Sequence, residues 1–320
     1  MALPTLAKTW QFDVNQTISA QGTALNTGKA IILALKESLI GFAQNPWTVS
    51  GSSNSTVAGM DSVDRWASIT DIVNSASNHS WIVLRQTGIA TNYEICIDFG
   101  TGGNTITLAA SASAGFTGGS VSARPTATDE AVLISNNIYM SGVDTTHQLH
   151  VMQSTDGSCT RAIVWRGGTN LCTFFLFDKA TNTVTGWTNP CLSLAQCSTG
   201  GIAMTYSSLS LGISSFGRYS GNFTALWTSE SVGGSIFPEL TNIGTETNSI
   251  DNAWSFFPIG IASTTSSNRG RHGSIVDLWW RPISVSNGDT FPNSASNRQF
   301  VAFGPLIFPW TNSTDIPLIT

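Results

Sequence analysis

Apolar positions recur every three or four residues in one early stretch of the chain and every second residue through much of the remainder. Residues 26–41 predict a helix: Ile31, Leu35 and Leu39 fall four apart and Ile32 and Leu33 widen the stripe. Asn26 or Thr27 is placed to cap it, and Gly41 to stop it. A second, shorter helix is predicted over 62–74, with Val63, Trp66, Ile69 or Thr70, and Val73 on one side. Between the two, residues 45–56 begin as a strand and end as a polar loop.

From about residue 79 the period shifts to two. Ser80 to Arg85 reads as a buried strand. In Tyr93 to Phe99 the residues alternate, with Tyr93, Ile95, Ile97 and Phe99 on a core face and Glu94, Cys96 and Asp98 on a solvent face. Residues 105–109 form the next strand. Gln148 to Ser154 and Cys159 to Trp165 flank a Thr155-Asp-Gly157 turn and predict a hairpin. Leu171 to Phe177 continues the series. Residues 188–270 are rich in Ser, Gly and Asn and carry weaker strand signals near 202–206, 223–227 and 254–262. Ser274 to Arg281, Gln299 to Phe303 and Ile307-Phe308 close the chain as strands. No internal repeat or heptad pattern occurs. The predicted class is α+β, mainly β: an N-terminal helical or docking region over 1–78, then an antiparallel β-sandwich over 79–320, jelly-roll-like or concanavalin-like.

Composition narrows the function. The 320 residues carry 10% charged side chains and a net charge of −5, where about 25% charged is usual. Fourteen basic residues cannot build the broad positive surface that phosphate neutralisation needs, so nucleic acid is not an expected partner. The most apolar run, Ala30 to Leu35, meets Lys36 and Glu37 at once, too short to cross a bilayer. The first eight residues lack the charge and apolar run of a signal peptide, and no membrane association is expected. Five cysteines without a CxxC read as free thiols, with Cys191 and Cys197 spaced to close a short loop as the alternative.

Catalytic patterns are sparse. Gly22 to Lys29 imitates a phosphate loop but has five residues between its glycines and Ala30 where a hydroxyl is needed, so it reads as a helix start. Asp144, His147 and His150 are spaced by three, which gathers ligands on a helix but scatters them on a strand, so no metal is expected. Glu94 and Asp98 share a strand face at a spacing that a glycosidase pair would use, and Asp129-Glu130 has similar standing, with Arg124 placed to anchor its loop by pairing with one of them. No cofactor and no catalysis are expected from these. The remaining signal is Trp279-Trp280: adjacent strand residues face opposite ways, so one joins the core and the other needs a cover. Both are candidate interface residues.

Five segments taken together, Asn45-Pro-Trp47, Asp64-Arg-Trp66, His79-Ser-Trp-Ile-Val-Leu84, Gly115-Phe-Thr-Gly-Gly119 and Arg124-Pro-Thr-Ala-Thr-Asp-Glu130, resemble virion structural proteins of tailed bacteriophages. The likeness covers mainly residues 1–135, with weaker similarity at Ser274 to Pro282 and toward the C-terminus. It implies an assembly role on a particle built in the host bacterial cytoplasm, as a tail-, baseplate- or fibre-associated component, and supplies no catalytic or ligand residues to transfer.

Three functions compete. The first is a virion building block whose partners are other virion proteins and copies of itself, because an ion-poor, aromatic-rich chain suits a surface covered by neighbours. The second is a receptor- or glycan-binding module on the same particle, with host surface glycan as partner and tryptophan as the stacking platform. The third is a glycan-cleaving enzyme using Glu94 or Asp98.

Overall fold

The computed structural model describes residues 5–136 apart from 74, 76, 79, 89–92, 101–105, 112–113 and 129, then 146–166, and beyond these the segments 172–178, 192–198, 201–208, 213–218, 234–238, 257–263, 270–280, 288–291, 299–303 and 306–310. The chain is mainly β, with one helix among the described residues.

In chain order the elements are β1 (Trp10–Ile18), α1 (Ala24–Gly41), β2 (Trp47–Ser53), β3 (Ala58–Gly59), β4 (Ser80–Gln86), β5 (Glu94–Phe99), β6 (Ile106–Ser111), β7 (Ala131–Asn136), β8 (His147–Ser154) and β9 (Cys159–Arg166). Next come β10 (Cys172–Asp178), β11 (Leu192–Ser198), β12 (Gly201–Ser208), β13 (Ile213–Arg218), β14 (Gly234–Pro238), β15 (Phe257–Ser263), β16 (Gly270–Trp280), β17 (Thr290–Phe291), β18 (Phe300–Phe303) and β19 (Leu306–Pro309). They form three antiparallel sheets: β1-β8-β9-β10-β11-β12-β13, β3-β2-β4-β5-β6-β7 and β14-β15-β16-β19-β18-β17. The strand signal near 223–227 lies outside the described residues.

The helix starts two residues earlier than the sequence suggests. Thr23 is its cap, with extended φ of −141° and ψ of 152° and a side chain that accepts from Asn26 N at 3.1 Å. Thr27, one of the expected caps, lies inside instead; its hydroxyl donates to Thr23 O and accepts from Gln21 N, both at 3.0 Å. The predicted face holds: Ile31, Ile32, Leu35 and Leu39 are all buried. They join one core with Ile82, Leu84, Ile95, Ile97 and Leu108 from one sheet and Leu149, Val151, Ala162 and Val164 from another. Burial of such side chains is worth about 1.5–3 kcal/mol each, and it fixes α1 between the strands.

The second predicted helix is absent; residues 62–73 form turns and bends. Short polar side chains here satisfy the local backbone, as Asp64 Oδ1 accepts from Trp66 N at 2.9 Å and Asp71 Oδ2 from Ser68 N at 2.8 Å. That bonding competes with the helical ladder. Ser62 sits at φ 61°, outside any right-handed helix. Trp66 and Ile72 are still buried in the main core, whereas Val63, expected on the apolar side, is exposed.

The boundary expected at residue 78 is crossed by pairing. β1 bonds to β8 and β2 bonds to β4, so strands from the first 78 residues belong to two of the sheets. Strand β5 departs from its predicted alternation in a different way: Glu94, Cys96 and Asp98 are buried along with Ile95, Ile97 and Phe99. A second small core of Trp81, Val83, Cys96, Ala109 and Phe116 lies over the supposed solvent face. Its cover is the 114–130 segment, closed by bridges between Thr117 and Thr126 and between Ser120 and Ala123. Trp81 Nε1 donates to Ser120 O at 2.8 Å. Gly119, at φ 93°, is required there, because a Cβ would stand 2.7 Å from the Trp81 ring.

Candidate interface

The two adjacent tryptophans have separate standing. Trp279 is 7% exposed and packs edge-on against Phe300, centroids 5.1 Å apart, in a cluster with Phe291, Ala302 and Ile307. It is a core residue. Trp280 comes next on β16, in register with Phe257 of β15 and Leu306 of β19; its side chain lies outside the described residues. The other tryptophan side chains described, at 10, 47, 66, 81 and 310, are buried as well. Among the described tryptophan side chains none is exposed for a sugar to stack on.

Just before Trp279 the strand carries a feature that sequence reading missed. The register between β15 and β16 jumps between Pro258 and Gly260, leaving a bulge in β16. Asp277 lies in it at φ 50°, a left-handed conformation that Asp tolerates better than most residues. Its buried carboxylate gathers the start of the chain. Ala7 N donates to Oδ1 at 2.8 Å, and Lys8 N and Trp10 Nε1 donate to Oδ2, each at 2.9 Å. Arg161 of β9, fully buried, donates to Asp277 O at 2.7 Å and to Val276 O, and its guanidinium lies 4.7 Å from the centroid of the Trp10 ring. This clasp ties the N-terminal segment and β9 to β16. A signal was present in the sequence: Asp277 interrupts the run Ile275-Val276-Leu278-Trp279, and Arg161 stands directly before Ala162-Ile163-Val164.

Two of the carboxylates considered for catalysis, Glu94 and Glu130, bond to neighbouring groups of the chain. Glu94 Oε1 accepts from Arg85 Nε at 2.8 Å, and its Oε2 accepts from Phe116 N of the 114–130 cover at 2.7 Å. Glu130 pairs with Arg124, whose Nη1 donates to Oε2 at 2.9 Å, the anchoring role expected of this arginine; Asp129 lies outside the described residues. Asp98 is buried on the same face as Glu94. Expected to meet solvent, this face is instead closed by chain. Burial raises the Cys96 thiol well above its ordinary value and leaves it protonated.

The spaced histidines behave as strand residues. His147 and His150 are both buried on β8, and Asp144 lies outside the described residues. The His150 ring meets Trp310 edge-on at 5.0 Å, and burial pushes its pKa down to about 4. Among the described residues no three His, Cys, Asp or Glu gather as metal ligands. The glycine-flanked segment before Lys29 forms the N-terminus of α1, as expected. Cys96 and Cys159 are buried and not joined in a disulfide; Cys191 lies outside the described residues.

Several charged side chains of the described residues lie inside the fold. Lys36, Glu94, Asp98, Arg161 and Asp277 are each at most 5% exposed. Lys36, on α1, donates to Asp64 Oδ2 and Trp66 O, both at 2.7 Å, and so pins the irregular segment after β3. Among the described residues the exposed large apolar side chains are Val57 at 49%, Met60 at 36% and Val63 at 49%, grouped around the two-residue edge strand β3. No helix among the described residues is long and apolar enough to cross a membrane. Comparison with family models, with curated proteins and with solved structures finds no match.

Proposed function

We propose that this chain is a structural component of a tailed bacteriophage virion, associated with the tail, baseplate or fibre, and that it works through protein–protein interfaces rather than catalysis. In this reading its antiparallel sheets pack as a sandwich of jelly-roll or concanavalin type, and its partners are other virion proteins and further copies of itself. One observation carries the reading. A chain with only 10% charged residues directs several of them inward, where they bond to backbone and to one another, as Arg161, Asp277, Glu94 and Lys36 do. A free-standing protein holds itself in solution with a mixed-charge exterior, whereas a surface of hydroxyls, amides and aromatics is readily desolvated against neighbours. The likeness of residues 1–135 to phage virion proteins points to the same role. Trp280 is the interface residue that this reading retains.

The test uses cells producing the phage that encodes the chain. Antibody against the chain is expected to follow infectious particles through a density gradient and to label one fixed place on them by electron microscopy. Recovery of the chain only in the particle-free fraction contradicts the proposal. Binding to host glycan is the alternative, and binding of the full chain on a glycan array at high avidity would favour it.

A further inference from the structure

Two of the five cysteines are brought opposite one another by strand pairing. Cys172 opens β10, Cys197 lies in β11, and the two are direct register partners in the antiparallel ladder between those strands. Directly opposed residues of an antiparallel pair share one face of the sheet, with Cα atoms about 4.5–5.5 Å apart. A disulfide requires a Cα separation of about 4.4–6.8 Å, a range that contains this ladder spacing. The pairing is not a local accident of spacing: the register runs unbroken from Cys172↔Cys197 to Phe177↔Leu192, and β10 is held on its other side by β9, from Cys172↔Trp165 to Asp178↔Cys159.

We propose that Cys172 and Cys197 form a cross-strand disulfide when the folded chain meets a small-molecule disulfide such as oxidised glutathione. One cysteine thiolate attacks a sulfur of the small disulfide, forming a mixed disulfide and releasing one small thiolate. The second cysteine thiolate then attacks the protein-bound sulfur of that mixed disulfide and releases the other. Two protein thiols are oxidised, one small disulfide is reduced to two thiols, and the two protons go to the released thiolates. Resting on the virion role proposed above, the pair stays open in a reducing cytoplasm and closes once the particle meets such a disulfide outside the cell, locking the register of β10 against β11. Cys96 and Cys159, both buried, take no part.

The full chain is incubated folded with oxidised glutathione, its remaining thiols are blocked with N-ethylmaleimide under denaturing conditions, and the product is mapped by mass spectrometry. Chymotrypsin cuts after Leu192 and Leu194 and so separates Cys191 from Cys197. The expected result is a peptide pair joined through Cys172 and Cys197 in most molecules, two hydrogens lighter than the free peptides, with Cys96 and Cys159 carrying the blocking group. Dithiothreitol before blocking is expected to abolish the joined pair. Blocking group on Cys172 and Cys197 in most molecules overturns the proposal, and so does a bond joining either of them to Cys191 or to any other cysteine.

Discussion

Trp10 Nε1 donates to Asp277 Oδ2 at 2.9 Å, joining positions 267 residues apart. Arg161 completes the arrangement by placing its guanidinium over the Trp10 ring and bonding the carbonyls of Val276 and Asp277. Asp277→Ala removes three acceptor contacts and puts an ordinary side chain at positive φ, an expected loss of about 4 kcal/mol. Asp277→Asn tolerates that backbone but turns a donor toward donors, an expected loss of about 2 kcal/mol. Arg161→Met strands two carbonyls and is expected to cost about 3 kcal/mol. Because all three side chains form one clasp, the Asp277→Ala, Arg161→Met double variant is expected to lose less than the sum. Urea denaturation measures each, and a fully additive double variant contradicts the shared clasp.

His150 makes stability depend on pH. Its folded pKa is lowered by burial to about 4, from 6.5. The unfolded chain therefore takes up a proton as pH falls through about 6.5, while the folded chain does not until about 4. The contribution is fully present above 6.5, is lost between 6.5 and 4, and levels off below; its size is about 3 kcal/mol. Denaturation midpoints taken from pH 7.5 down to pH 4 are expected to fall more steeply in the natural chain than in His150→Phe. Equal slopes contradict a buried neutral imidazole.

Glu94 holds the 114–130 cover in place through Phe116 N and holds Arg85 beside it. In Glu94→Gln an amide NH2 must face one of those donors, with an expected loss of about 2 kcal/mol. Limited proteolysis is expected to cut first within 114–130. Unchanged stability and an uncut segment contradict the structural role given to this carboxylate.

The adjacent tryptophans separate fold from assembly. Trp279→Ala empties a packed site against Phe300 and is expected to cost about 3–5 kcal/mol. Trp280→Ser is expected to leave the unfolding midpoint nearly unchanged and to weaken self-association about tenfold or more, as read by sedimentation. Loss of the fold with Trp280→Ser, or intact association, removes Trp280 from the interface.

Strand positions were legible wherever apolar residues alternated or ran together, as in β4, β5, β8 and β9, because a half-buried strand is what produces a period of two. The apolar face of α1 was legible through its own period of three to four. The cap was not: Thr23, Asn26 and Thr27 are all good caps, and Gln21 N and Asn26 N decide among them only in three dimensions. Residues 62–73 misled because Trp66 and Ile72 are truly buried, yet Asp61, Asp64 and Asp71 bond their own neighbourhood and break the helix. The outer face of β5 looked solvent-bound because carboxylates usually are; the 114–130 cover that buries Glu94 comes from residues with no strong periodic pattern of their own. Asp277 gave a faint sign as a charge inside an apolar strand, but its partners lie at the other end of the chain.

Sedimentation velocity of the purified full chain over a concentration series from about 1 to 100 μM tests most directly whether its ion-poor exterior is made to be covered. A single defined oligomer that persists on dilution is the expected result. A monomer that stays dispersed at the highest concentration contradicts an exterior built for neighbours.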